Sequence, residues 1–281
     1  MNQKLLPLDI ILIIIRHYAD HSTLYHLGLT CRAISPHAFL QLWQMPYITT
    51  AKSLDQLSTT LSLTSPHFPY KDWVTGLALH MIEQEDEYTY QSITPDIFDS
   101  LCNLKLEILS LLRMNIPIKD VSFHQFLKTQ LDQGLSELHL YQCTPITLVT
   151  VSTTIQQHSR VHLRSLCVHN CYMTDTLVER IVRFCSSLRL LRLEECGCLS
   201  DTSMLTIAQN CLQLNTLVVT LPRNIVQSNM ITVRTIEALQ THCLFLKRFI
   251  CTGQIRISEY INSSNYSTNF SVIVSDPPSW A

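Results

Sequence analysis

Three stretches of the chain share one frame. LSELHLYQC (Leu135–Cys143), LRSLCVHNC (Leu163–Cys171) and LRLLRLEEC (Leu188–Cys196) all read Leu-x-x-Leu-x-(Leu/Val)-x-x-Cys. The frame continues in both directions. Val74, Leu77, Leu79 and Ile82 fit it, as do Leu106, Leu109, Leu111 and Met114; then come Leu214, Leu217 and Val219, and finally Leu246, Phe249 and Cys251. Copies start at residues 74, 106, 135, 163, 188, 214 and 246. Within a copy, apolar residues alternate with polar ones, which predicts a short strand with one buried face. Burying three leucines falls far short of the conformational entropy lost in ordering a whole unit. Each unit must therefore hydrogen-bond to the next and stack its leucine row upon it.

A helical segment follows each strand. DTLVERIVRFC places Leu177, Ile181 and Phe184 on one face; DTSMLTIAQNC does so with Met204, Ile207 and Ala208, and TVRTIEALQTHC with Val233, Ile236 and Leu239. Asp175, Asp201 and Thr232 are the expected N-caps. The unit is thus strand, turn, helix, turn, and a period in this range is the signature of leucine-rich repeats. Cys143, Cys171 and Cys196 occupy the turn that leaves the strand, and Cys185, Cys211 and Cys243 each stand three residues before the next copy's first Leu. In these positions the chain resembles the cysteine-containing class of leucine-rich repeats over about residues 74–252. Ile82, Met114, Pro222 and Gln254 fill the Cys slot in the outer copies, so the Cys row is confined to the middle. The expected fold class is α/β. The resemblance implies a horseshoe solenoid of about seven units over residues 74–257, with a parallel strand ladder inside and helices outside.

The first 45 residues are built differently. Pro7 and Asp9 open an expected helix from about Leu8 to Tyr18, and Ile10 to Ile15 make it apolar all round. One face can pack within so small a block; the other needs a partner. A second helix carries Leu24, Leu27 and Leu29, and a third segment ends in Leu42 and Trp43, with Trp43 assigned to the block's own core. Leu6-Pro7, Asp9-Ile10, the leucine segment, Cys31-Arg32 and Leu42-Trp43 together resemble an F-box over about residues 4–44. Asp9 stands where Glu is commoner, and Ala33-Ile34 where an aromatic residue is frequent. The resemblance implies a three-helix F-box at residues 1–45 that docks on a Skp-family adaptor and, through it, on cullin and RING subunits. Carried onto this chain, the adaptor-binding role falls on Leu6, Pro7, Ile10, Ile11 and Ile14.

Residues 46–73 read as a linker with a short packed helix on Leu54, Leu57 and Leu61, punctuated by Pro46, Pro66 and Pro69. Residues 258–281 read as a polar tail in which FSVIVS could add one strand to the open edge of the solenoid. LLPLDIILIII is too short for a membrane span and is interrupted by Asp9, so it reads as neither a span nor a signal peptide. Eleven cysteines, an odd number with no C-x-x-C, read as reduced thiols in an intracellular protein, cytoplasmic or nuclear. In that setting the N-x-S/T triplets at Asn262, Asn265 and Asn269 are a polar run, not glycan acceptors. A net charge of −2 gives no footprint for nucleic acid or an anionic membrane, while only 15% charged residues leaves apolar surface for protein partners.

No nucleotide-binding loop, H-E-x-x-H or G-x-S-x-G motif occurs, and five glycines leave little for a phosphate cradle. No cofactor and no catalytic residue are expected. Outward ladder positions carry His139 and Tyr141, then Cys167 and His169, then Arg192 and Glu194. Strand spacing should set His139 beside Cys167, and His169 between Tyr141 and Glu194. A Cys–His nucleophile or a metal site here lacks a third group, and His17 with His21 has only a common spacing. Recognition of a protein substrate is the expectation, through His139, Tyr141, His169, Arg192, Glu194 and Arg248 on a seven-strand ladder about 29 Å long. With the F-box resemblance, this implies the substrate receptor of a Skp–cullin–F-box ubiquitin ligase feeding proteasomal degradation. The alternative is a protein outside any ligase that sequesters a regulatory partner.

Overall fold

The computed structural model describes residues 10–13, 15, 20–30, 32–80, 98–99, 101–158, 161–197, 199–220, 231–252 and 270–275. In every copy of the repeat frame the first, fourth and sixth residues, from Val74, Leu77 and Leu79 to Leu246, Phe249 and Cys251, are at most 3% exposed. That alternation produces the strands β2 (Gly76–His80), β3 (Ile108–Leu112), β4 (Glu137–Tyr141), β5 (Ser165–His169), β6 (Leu190–Glu194), β7 (Thr216–Val219) and β8 (Arg248–Thr252).

Two further strands extend the ladder. Tyr47–Ile48 forms β1 before β2, and Ser271–Ser275 forms β9 after β8. All nine strands are parallel and stand in sequence order, giving a solenoid-like α/β fold. Among the described residues the ladder thus has nine strands, the seven of the repeat frame with one more at each end. β9 realises the capping strand expected of the tail, with Phe270 buried beside it.

The helices are α1 (His21–Thr30), α2 (Ser35–Gln44), α3 (Ala51–Leu61), α4 (Tyr70–Trp73), α5 (Val121–Gln133), α6 (Pro145–Gln156), α7 (Asp175–Val182), α8 (Asp201–Asn210) and α9 (Val233–His242). From α5 to α9 each packs on the next in a second layer. Residues 46–73 carry the short packed helix expected of the linker, and one strand besides. There β1 pairs with β2, and α3 sinks Leu54, Leu57 and Leu61 into the main core. Its N-cap is complete: Thr50 Oγ1 accepts from Ser53 N–H at 3.1 Å, and Ser53 Oγ accepts from Thr50 N–H at 3.1 Å.

Three side-by-side hydrogen-bond ladders explain why the repeats hold one geometry. The residue after the strand, Arg113, Gln142, Asn170 or Glu195, has φ between 48° and 53°. This left-handed kink is unfavourable for a side-chain-bearing residue. It is held in place because Arg113, Gln142 and Asn170 donate their N–H to Tyr141, His169 and Glu194 carbonyls of the next strand at 2.8–2.9 Å. In the following slot, the Cys143, Cys171 and Cys196 thiols donate back to the Leu111, Leu140 and Val168 carbonyls at 3.4, 3.6 and 3.6 Å. A buried thiol thus satisfies a carbonyl at the end of the preceding strand.

The third ladder corrects the expected helix caps. The caps of α7 and α8 are the hydroxyls of Thr174 and Ser200, one residue earlier than Asp175 and Asp201; Thr232 caps α9 as expected. A hydroxyl cap frees the carboxylate at the first helical position to reach the next repeat. Asp175 accepts from Ser200 N–H at 3.0 Å and Ser200 Oγ at 2.5 Å, and also from Ser203 Oγ. Asp201 accepts from Thr232 N–H at 2.7 Å, Thr232 Oγ1 at 2.5 Å and Thr235 Oγ1 at 2.7 Å. Nearer the start, buried Gln130 on α5 does similar work, accepting from Leu106 N–H at 3.0 Å and donating to the Leu104 carbonyl at 3.0 Å.

The N-terminal helices form a small second core of Ile15, Leu24, Ile34 and Ala38, flanked by Ile11, Leu12, Leu27 and Leu42. Trp43 is corrected from this core to the main one. The reason is its place at the end of α2, where the chain runs directly into β1 and the Trp43 ring meets Tyr70 at 4.3 Å between centroids. Phe39 meets Phe68 at 5.6 Å, and Phe68 meets Trp73 at 5.2 Å. Gly28 permits this joint: a Cβ there would lie 2.9 Å from the Phe39 ring. Aromatic packing thus welds the helices to the sheet.

Candidate recognition surface

Alternate residues of β4, β5 and β6 turn away from the leucine core, and the parallel register sets them in rows. One row reads Ser110, His139, Cys167, Arg192, Val218 and Ile250. The next reads Leu112, Tyr141, His169 and Glu194. The expected neighbours meet: His139 faces Cys167, and His169 lies between Tyr141 and Glu194. Tyr141 has its ring centroid 6.0 Å from both the His139 and the His169 rings.

One charge pair lies in this cluster, between Arg192 and Glu194. Arg192 donates to Glu194 Oε1 from Nε at 3.1 Å and from a terminal nitrogen at 2.5 Å, and that hydrogen bond holds the Arg192 guanidinium even further above the ordinary range. His139 Nε2 lies 3.5 Å from Glu137 Oε2, and His169 Nε2 lies 3.9 Å from Glu195 Oε2. Desolvation lowers the His139 pKa, against the opposing pull of Glu137. Burial raises the Tyr141 phenol and the Cys167 thiol. At neutral pH the surface therefore presents a neutral imidazole, a phenol, a protonated thiol and a fixed Arg–Glu pair. Such a set offers hydrogen-bond donors, acceptors and aromatic faces; it does not offer an activated thiolate.

Arg248 stands apart from this cluster. It lies on β8 in the row of Ser165, Leu190 and Thr216, two strands beyond Arg192, and points to Thr216 Oγ1 at 3.5 Å. Glu137 and Glu195 are members that sequence reasoning did not single out. Glu137 was visible, since extending the alternation two residues back from His139 reaches it. Glu195 was hidden, because only the left-handed kink after β6 turns it towards His169. Among the described residues no group of three or more His, Cys, Asp or Glu could hold a metal ion. His17 and the side chain of His21 lie outside the described residues.

The expected adaptor surface divides. Leu6, Pro7 and Ile14 lie outside the described residues. Ile10 is 42% exposed, whereas Ile11 packs against the small core. Ile13, one helical turn from Ile10, is 52% exposed, and Tyr25, Leu29 and Leu40 are exposed apolar residues on α1 and α2. Ile15 on the same run is buried. Among the described residues no helix is long and apolar enough to cross a membrane.

The nine described cysteines are unpaired. No protein-family model matches the sequence, and no curated protein matches it significantly.

Proposed function

We propose that this chain is a substrate-receptor subunit of a Skp–cullin–F-box ubiquitin ligase, with the N-terminal helices as its F-box and the strand ladder as its substrate surface. The observation that carries the reading is the exposure of Ile10 and Ile13 on a helical run whose Ile15 is buried. Exposed isoleucines at helical spacing present an apolar face to water, and a docking protein would remove it from water. The aromatic joint at Trp43 and Tyr70 supports the same reading, since a receptor acts by holding a bound protein at a fixed place. No bond need be made or broken by the receptor: proximity to charged ubiquitin raises the effective concentration of the substrate's lysines.

The test is co-purification of the full chain with a Skp-family adaptor and cullin. Ile10→Asp combined with Ile13→Asp should reduce adaptor capture at least about tenfold, because a buried unpaired charge at an interface is strongly disfavoured. The same variant should keep its thermal midpoint, since both side chains are already exposed. Failure of the wild-type chain to capture the adaptor would overturn the ligase reading. On the ladder, Tyr141→Ala, His169→Ala and Arg192→Ala together should abolish capture of the substrate while sparing the adaptor.

A further inference from the structure

A second surface lies along the edge of the sheet where the strands begin, and none of the ladder cluster belongs to it. A groove of about 630 Å³ runs there, lined by Ser136, His162, Arg164, Ser187, Arg189 and Gln213 among others. Arg164 and Arg189 hold the position immediately before β5 and β6, and Lys247 holds it before β8. All three side chains are exposed. Their backbone is already committed: the Arg164 carbonyl accepts from Arg189 and Leu190 N–H at 2.8 and 3.0 Å, and the Arg189 carbonyl accepts from Asn215 and Thr216 N–H at 2.8 and 3.0 Å. What remains available for a ligand is the side chains. Among the described residues, ion pairs engage Arg183 and Arg192 but neither Arg164 nor Arg189.

The edge is polarised. Glu107, which lines the groove, precedes β3, while the positions before β5, β6 and β8 are basic. In the same turn as Lys247, just before β8, Leu244 and Phe245 are 74% and 58% exposed. Phe245 holds the frame position that Ser187 and Gln213 hold in the two preceding repeats, and both of those line the groove. Cationic side chains and a large apolar pair therefore share one edge.

We propose that this edge binds an extended peptide segment bearing carboxylates, with a large apolar residue beside them to cover Leu244 and Phe245. The spacing fits. Neighbouring strands lie about 4.8 Å apart, so Arg164 and Lys247 are separated by three steps, about 14 Å. Alternate side chains of an extended peptide repeat at about 6.8 Å, so carboxylates at i and i+4 span the same distance. Arginine forks hold carboxylates with paired hydrogen bonds. The proposal does not depend on how the N-terminal helices are used.

Fluorescence anisotropy on the full chain tests it, with labelled Gly-Glu-Gly-Glu-Gly-Glu-Gly-Phe-Gly as the probe. Replacing its Glu residues by Gln should weaken binding at least about tenfold, and so should Arg164→Glu with Arg189→Glu in the protein. Phe245→Ser should weaken binding severalfold, and Arg183→Glu, at the C-cap of α7 and outside the groove lining, should leave it unchanged. Should the double Glu variant fail to fold, Arg164→Gln with Arg189→Gln takes its place, with a loss of at least about fivefold expected. Equal affinity for the Glu and Gln peptides would overturn the proposal. So would full binding by the arginine variants, absence of binding to the wild-type chain, or tighter binding of single-stranded oligothymidylate than of the peptide.

Discussion

At the scale of single residues, the repeats are joined by side chains that reach one unit forward or back. Asp201 accepts three hydrogen bonds from the α9 cap, and hydrogen bonds to a charged acceptor are worth about 1.5–3 kcal/mol. Asp201→Ala should therefore destabilise the fold by about 2–3 kcal/mol in chemical denaturation, with most of the loss in the last repeats. The cysteines predict a pH dependence. Burial pushes the Cys185 thiol up to about 12, whereas an unfolded chain ionises cysteine near about 8.5. The folded state thus binds the extra proton. Its stabilising effect is full below about pH 8.5 and is lost as pH rises towards 12, at about 1.4 kcal/mol per pH unit for one thiol. The urea midpoint should hold level up to about pH 8 and then fall. Cys185→Ala should make that fall shallower by one proton's slope. At this scale the sequence was readable for the leucines and for the Cys slot. It misplaced Asp175 and Asp201 by one residue, because Thr-Asp and Ser-Asp pairs offer two possible caps and only the next repeat's hydroxyls decide between them.

At the scale of elements, β2 to β8 and their registers were legible from the frame alone, because a one-residue slip would turn a whole leucine row to solvent. β1 was not legible. Tyr47–Ile48 is too short to show alternation, and its partner strand β2 supplies the reason it is extended. The joint was equally hidden, since its aromatics come from α2, α4 and the Pro-rich segment between α3 and α4. Trp43→Ala with Phe68→Ala should loosen it without unfolding the strand ladder. Limited proteolysis should then cut between Met45 and Trp73 several times faster than in the wild type, and small-angle scattering should show a larger radius. Unchanged cleavage and scattering would mean that β1 alone carries the joint.

At the scale of the whole molecule, each repeat touches its neighbours and little else, so stability is nearly a sum of unit and interface terms. Leu191→Ala, in β6, the last strand of the cysteine row, should cost about 2–5 kcal/mol. It should also split a single unfolding transition into two in calorimetry, because it weakens the link between the halves. The ladder cluster was half visible at this scale. Parallel strands in sequence order made the His139–Cys167 and Tyr141–His169 pairs foreseeable, and the frame already separates Arg248, two residues after Leu246, from Arg192, four after Leu188; the arrival of Glu195 depends on a turn that periodicity does not encode. The welded aromatic seam has one more consequence. It ties α2 to the first strands, so position along the ladder is counted from that end. Each added or deleted unit would shift the far end by one strand step, about 4.8 Å, so reach is written in whole increments and lengthening the chain by a repeat would retune it without redesigning either end.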